Sequence, residues 1–239
     1  MKSGSKLEQA FVNGEFAVTA EIFPPRTPSV RLLSKRADEY RNHLTAANLT
    51  DNQSATVRIS SLAASRIVLD AGVEPVMQIT CRDRNRMAIQ ADVIGAAALG
   101  IKNILCVTGD HQKFGDHPAA RNVYDLDSMN LINMLKNMRD EGIFHNGDFI
   151  RNRSKSAIVP PEVFIGAAAN PFGSPRHFRP FRLAKKIAAG ADFVQTQPVY
   201  DLQVFKEWLQ KVGDMGLTEK IYIMAGITPV KTLRALHYM

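Results

Sequence analysis

The sequence predicts an α/β fold of the (β/α)8 TIM-barrel class, with the eighth strand missing from this chain. Three observations lead there. Strand-like and helix-like segments alternate seven times along 239 residues. The strand candidates are near-continuous apolar runs, which is how strands read when a parallel sheet buries both faces. Polar residues suited to chemistry fall at successive C-terminal strand ends: Glu21, Thr50 and Asp51, Gln78 and Thr80, Thr108 to Asp110, Asn170, and Gln197. An open doubly wound sheet concentrates its site at one switch point, whereas a barrel spreads it around the ring of strand ends.

The elements follow in order. FAVTAEIF is the first strand, and SVRLLSKRADEYRN the helix after it. HLTAANLT reads as a strand, then SSLAASRIVLDAG as a helix with a glycine stop. EPVMQIT is strand-like, and RMAIQADVIGAAALG has apolar positions at helical spacing. KNILCVTG is a buried strand ending in Gly-Asp, followed by LDSMNLINMLKNMRDEG, a helix for which Asp127 is the expected N-terminal cap. Residues 142–161, GIFHNGDFIRNRSKSAIVPP, are polar and basic and interrupt the alternation as an insertion. PEVFIGAAA resumes as a strand, FRPFRLAKKIAAG as a helix, ADFVQTQ as a strand and LQVFKEWLQKVGDMG as a helix. KIYIMAG is the seventh strand, and PVKTLRALHYM begins a last helix with proline near its first position. We therefore expect one domain over 1–239 from a sequence cut short at its C-terminus.

Composition narrows the function. The chain is 45% hydrophobic and 22% charged, ordinary for a soluble globular protein. No apolar run approaches the ~20 residues that span a membrane, and MKSGSKLEQAF lacks the apolar core of a signal peptide. Cys81 and Cys106 sit in separate strands without metal-ligand spacing, so reduced thiols in a cytoplasmic protein are expected. The net charge of +7 is scattered, with a cluster at Arg151, Arg153 and Lys155. It lacks the basic stripe with interleaved aromatics that nucleic-acid binding needs, and suits a polyanionic small molecule or an acidic protein partner better.

Single motifs carry little alone. Gly109-Asp110 allows close approach of a ligand, or serves as a simple strand-to-helix turn. GDHQKFGDH offers Asp110, His111, Asp116 and His117, but without helical His spacing it reads as a loop over a ligand and no metal site is expected. Gln197 could read a heterocycle edge with one donor and one acceptor, or satisfy neighbouring backbone. Arg182, Lys185 and Lys186 could neutralise a phosphate, but individually read as a solvated helix face. Met77, Met87, Met129, Met134 and Met138 read as core packing, and Trp208 as a helix–barrel contact. Neither a Rossmann fingerprint nor a P-loop is present. Glu21, before Pro24-Pro25, is an expensive carboxylate for a buried strand unless it has a task.

TAEIFPPR, NLTDNQS, QITCRDRN, NILCVTGDHQ, FIGAAANPF, GADFVQTQPVYD and MAGITPV occur in this order. Together they resemble the methylenetetrahydrofolate reductase family, most of all its variant from anaerobic, acetogen-type folate pathways. The resemblance implies a flavin-binding barrel that reduces 5,10-methylenetetrahydrofolate to 5-methyltetrahydrofolate. It implies Glu21 and Asp110 as catalytic, and Gln197, Asp110 and Thr50 as substrate-binding. It implies flavin contacts at Thr50, Gln78, Thr108, Gly109, Asp110, Tyr124, Ala168, Asn170, Arg182 and Lys186. FAD is the expected flavin with FMN as the alternative. NAD(P)H or a reduced partner subunit is the expected electron donor, and an oligomer the expected state. Four positions depart from the pattern: Gln78 replaces a histidine, Thr108 an arginine, Asn170 an aromatic and Arg179 an acidic residue. Glu21, as a buried acid, would protonate the departing nitrogen as the folate's bridging methylene opens to an iminium. Two other readings stay open: a flavin-free pterin-binding barrel for methyl transfer, and a non-catalytic electron-relay flavoprotein subunit.

Overall fold

The structure, a computed structural model, describes residues 1–151, 157–230 and 232–233. Seven strands form one all-parallel sheet in sequence order: β1 (Thr19–Ile22), β2 (Ala46–Leu49), β3 (Pro75–Thr80), β4 (Asn103–Val107), β5 (Phe164–Ala169), β6 (Phe193–Pro198) and β7 (Tyr222–Gly226). Such an order, with a helix in each crossover, curls the sheet into a TIM-barrel-like layer. Six helices lie in those crossovers: α2 (Val30–Tyr40), α3 (Ser61–Asp70), α4 (Arg86–Ala98), α5 (Ser128–Asp140), α6 (Arg179–Ala189) and α7 (Leu202–Asp214). Among the described residues β1 and β7 each pair with one strand, and no helix is long and apolar enough to cross a membrane.

The helix starts are written in the sequence. Ser29, Ser60, Asn85, Asp127 and Asp201 each accept a hydrogen bond from a backbone N–H three residues on, satisfying one of the donors a helix leaves free. Pro180 sits in the first turn of α6, where no backbone donor is needed. The outward faces of β3 to β6 (Met77, Ile79, Ile104, Cys106, Ile165 and Val194) meet Ile89 and Val93 of α4 and Leu131 and Leu135 of α5 in one continuous core.

A helix absent from the sequence-based expectation, α1 (Lys6–Val12), closes the N-terminal end of the lumen. Its Leu7 is fully buried against Ala46, Val76, Leu105, Phe164 and Phe193. Phe11 stacks on Tyr222 with centroids 4.7 Å apart, and Phe164 on Phe193 at 5.1 Å. Gly166 makes room for that layer: a Cβ there would lie 2.3 Å from the Phe193 ring. The plug fills the floor with hydrocarbon, and the polar layer lies above it, towards the C-terminal strand ends.

Several expectations need correction. The first strand is four residues, not eight, and Phe16 is 94% exposed, because β1 is an edge with one neighbour. Glu21 is accordingly exposed to the lumen rather than buried in a strand interior. The other edge, β7, is half-exposed where a buried run was expected. Met87 is 73% exposed on the outer face of α4, while Met77, Met134 and Met138 are buried as expected. Of the insertion, 142–151 forms a tight excursion with one antiparallel bridge, Ile143 to Phe149. Residues 152–156, including Arg153 and Lys155, lie outside the described residues, as does most of the last helix.

Candidate functional site

The segment carrying Glu21 out of the sheet is held by its backbone. Prolines 24 and 25 cannot donate, and successive carbonyls here are taken by donors from elsewhere. Arg36 Nη1 donates to the Phe23 carbonyl (3.1 Å), Arg58 Nη1 to Pro24 (3.0 Å) and the Ile59 N–H to Pro25 (3.0 Å). Arg26 then ion-pairs with Asp116 at 2.6 Å, joining the loops after β1 and β4 across the mouth. Asp116 also accepts from the Val57 N–H at 3.3 Å and lies 2.8 Å from His117 Nδ1. That carboxylate is occupied in holding loops together.

Above the hydrocarbon floor lies a polar layer. Residues two apart on a strand share a face, so Glu21, Asn48, Gln78 and Gln195 all face the lumen. Gln78 Nε2 donates to Glu21 Oε1 over a long 3.4 Å. Gln195 Nε2 donates to Asn48 Oδ1 at 2.9 Å, and Asn48 Nδ2 to Thr19 Oγ1 at 3.2 Å. Glu21 opens on the lumen, yet the surrounding walls strip water from it and raise its pKa above the ordinary carboxylate value; the Gln78 bond opposes that rise only weakly. The result is a carboxylic acid that holds its proton to higher pH than a surface glutamate. Asn48 and Gln195 escaped the sequence reading, although the two-residue period through 46, 48, 50 and 193, 195, 197 would have found them.

The turn after β4 is built around Gly109. Its φ of +90° is in the left-handed region, and a Cβ would press within 3.0 Å of Thr80 Cβ. Buried Arg82 fixes the turn: Nη1 donates to the Asp110 carbonyl (3.0 Å) and Nη2 to the Asn52 carbonyl (3.2 Å), while Nε pairs with Asp83 at 2.7 Å. Tyr124 Oη donates to the Gly109 carbonyl at 3.3 Å. Asp110 and Thr108 are left exposed at the mouth, with Gln197 exposed across from them on β6. Thr50, 3% exposed, has a hydroxyl without a partner. Beside it Asp51 accepts from the Thr80 N–H and hydroxyl (2.8 and 3.0 Å) and pairs with Arg84.

The third part is a slot between the end of β5 and helices α6 and α7, lined by Ala168, Asn170, Arg182, Lys186 and Trp208. Asn170 Oδ1 accepts from the Phe172 and Gly173 N–H groups (both 3.0 Å), shaping the turn. Lys186 is not on a solvated face as its helix pattern suggested. It is 8% exposed and donates to the Ala168 carbonyl. Desolvation, with Arg182 nearby, pushes its pKa down to about 8. Asp127 attracts the ammonium from a distance, but no carboxylate pairs with it among the described residues. Both cysteines are buried free thiols, and burial raises their pKa values, Cys81 to about 12.

Fold and site together define a TIM-barrel-like protein with a lumenal acid, an aspartate on a glycine turn and a cationic slot at the C-terminal strand ends. The family model for methylenetetrahydrofolate reductase matches residues 6–239, and the chain belongs to that family. It is 27% identical over 244 residues to methylenetetrahydrofolate reductase 1 of Schizosaccharomyces pombe, covering 97% of this chain and 36% of the relative. It is 24% identical over 245 residues to methylenetetrahydrofolate reductase (NADH) 1 of Arabidopsis thaliana, covering 98% and 38%. The chain thus spans well under half the length of these relatives. Among solved structures, a Clostridium thermocellum protein that binds two copies of 5-methyl-5,6,7,8-tetrahydrofolic acid superposes with a TM-score of 0.61 at 14% identity, covering 98% of this chain and 73% of that one. Tryptophan synthase of Mycobacterium tuberculosis superposes with a TM-score of 0.58 at 14% identity, covering 94% and 79%. At these identities the likeness is one of fold.

Proposed function

We propose that this chain is the flavin-dependent domain that reduces 5,10-methylenetetrahydrofolate to 5-methyltetrahydrofolate, with Glu21 as general acid. We read its sheet as seven strands of a (β/α)8 barrel. The observation that carries the proposal is Glu21 itself: a carboxyl group of raised pKa, aimed into the lumen and backed by an uncharged amide. Family membership and the folate bound by the Clostridium thermocellum protein support the substrate.

The residues present fit a flavin. Lys186 and Arg182 bring positive charge that no carboxylate pairs with among the described residues, Thr50 a buried hydroxyl without a partner, and Gly109 a left-handed turn that carries Asp110 to the mouth. Thr50, Gln78, Thr108, Gly109, Asp110, Tyr124, Ala168, Asn170, Arg182 and Lys186 would hold it. A flavin held by these residues would supply hydride to the folate, with electrons from NAD(P)H or a reduced partner protein. FAD is the flavin we favour, with FMN as the alternative, on family membership. Glu21 delivers a proton to the folate nitrogen that departs as the methylene bridge opens. Asp110, held by Arg82 through its own carbonyl, orients the pterin and stabilises the cationic iminium. Gln197 offers its amide to the pterin edge.

The test is an absorption spectrum of the purified protein followed by anaerobic titration of the reduced form with methylenetetrahydrofolate. Reoxidation of a yellow protein by the folate is expected. A colourless protein that still binds folate would favour methyl transfer. A flavoprotein indifferent to folate would favour an electron relay.

A further inference from the structure

The lumen carries side chains that the mechanism above does not use. Gln195 on β6 and Asn48 on β2 belong to strands with β3, β4 and β5 between them in the sheet. Gln195 Nε2 nevertheless donates to Asn48 Oδ1 at 2.9 Å, and Asn48 Nδ2 donates to Thr19 Oγ1 on β1 at 3.2 Å. The three residues form a continuous strap across the lumen, from β6 through β2 to the edge strand β1. Backbone ladders fix the spacing of adjacent strands, but the width between strands that are not neighbours follows the curl of the sheet. The strap sets that width directly. Its members lie where the proposed chemistry needs them. Residues two apart on a strand share a face, so Thr19 lies one step below Glu21, Asn48 one step below Thr50, and Gln195 one step below Gln197. Asn48 is also in register with Glu21 across the β1–β2 ladder. Beneath the strap lies the hydrocarbon floor of Leu7, Phe164 and Phe193. Hydrocarbon would fill the strap's layer too and needs no partner; amides bonded to one another add direction and hold a single geometry. Asn48 is 2% exposed, so water does not compete for its bonds.

We propose that Asn48 and Gln195 are positioning residues for the reaction, a strap that sets the distance across the lumen between Glu21 and Gln197. The assignment rests on the folate reading above. In that reading Gln197 holds the pterin edge from β6 and Glu21 brings the proton from β1. The spacing of those two strands then decides whether acid and nitrogen meet. β1 has one neighbour in the sheet, and the strap gives it a tie to the far side of the lumen.

The experiment uses the full chain with Gln195→Leu, Asn48→Leu and the two combined. Each single change leaves the partner amide unpaired and should lower the urea midpoint, while the double change removes both amides and should recover most of the loss. Folate reduction in stopped flow should be about ten- to hundredfold slower in all three, because leucines fill the layer without fixing the distance. A double variant that recovers its rate together with its stability overturns the proposal, since the pair would then only satisfy each other's polar groups. A second measurement places Gln195→Leu in the Glu21→Gln background. With the acid gone its position no longer matters, so the added loss should be under about twofold. Losses that multiply overturn the link to Glu21. A wild type that leaves the folate unreduced overturns the functional reading and this role with it. A wild type that reduces it, beside strap variants of full rate, overturns the strap alone.

Discussion

Lys186→Met separates what the slot costs the fold from what it gives to binding. In the folded protein without ligand, the ammonium is desolvated and its pKa pushed down to about 8, from 10.5 for a free lysine side chain. At about 1.4 kcal/mol per pH unit that gap amounts to roughly 3 kcal/mol. Its sign follows from proton counts. Between pH 8 and 10.5 the unfolded chain binds more protons at this residue than the native one, so stability rises with pH across that window. Below it the whole deficit is present. Methionine matches the length of the stem and carries no charge, so it removes the deficit, less about 1 kcal/mol for the hydrogen bond to the Ala168 carbonyl. The ligand-free variant should therefore be about 2 kcal/mol more stable than the wild type at pH 7, and the advantage should vanish by about pH 10.5. Urea unfolding of both proteins across this range measures the difference, and subtraction cancels the other titrating groups. The same variant should bind FAD at least tenfold more weakly. A variant less stable than the wild type at pH 7, or an advantage that persists at high pH, would refute the account of Lys186 as an uncompensated buried cation.

Glu21→Gln should keep bound flavin and its reoxidation by oxygen but reduce folate about 10²- to 10⁴-fold more slowly, measured in stopped flow; unimpaired turnover refutes the acid. With wild-type Glu21, kcat/KM should fall as pH rises through a pKa above the ordinary carboxylate value, and Gln78→Leu, which removes the bond opposing the rise, should move that limb to higher pH. Arg82→Met should cost about 3 kcal/mol in urea unfolding, because it removes the ion pair with Asp83 and leaves two loop carbonyls without their donor; a change under about 1 kcal/mol would show the turn to be self-supporting. Leu7→Ala opens a cavity in the lumen plug and should cost about 2–5 kcal/mol, lowering the melting temperature by about 10 °C.

Periodicity and capping made the alternation legible: every crossover helix and strand lies where the apolar pattern puts it, and Asp127 caps α5 as its residue type implies. What escaped was long-range. Whether an apolar run is central or an edge depends on neighbours the run does not encode, so β1 and β7 read as more buried than they are. α1 is a short helix of about two turns, and only the hole it fills explains it. For the site, the strand-end positions of Glu21, Asp110 and Gln197 were visible because a parallel barrel puts its chemistry there. The role of Arg82 was not, because a buried guanidinium looks in a sequence like any other arginine. Lys186 misled for the reverse reason: a helical cation is usually solvated, and burial against the end of β5 overrides that habit.

The placement of Glu21 also inverts the usual division between scaffold and loop. β1 is a four-residue edge strand, hydrogen-bonded on one side only, and by itself a poor platform for a carboxyl group that has to be held in place. The rigidity comes from the exit. Two prolines fix φ at successive positions, and the carbonyls of Phe23, Pro24 and Pro25 are each gripped by a donor, from α2 and from the segment leading into α3. Arg26 then ties the exit to the loop that continues from Asp110. Glu21 and Asp110 are thus coupled through backbone and one ion pair, not through contact between their side chains. The ion pair is more than half exposed on the arginine side, so its own energy is small. Its effect is on geometry. Breaking it should leave stability nearly unchanged while loosening the distance between Glu21 and Asp110, on which the proposed proton delivery would depend.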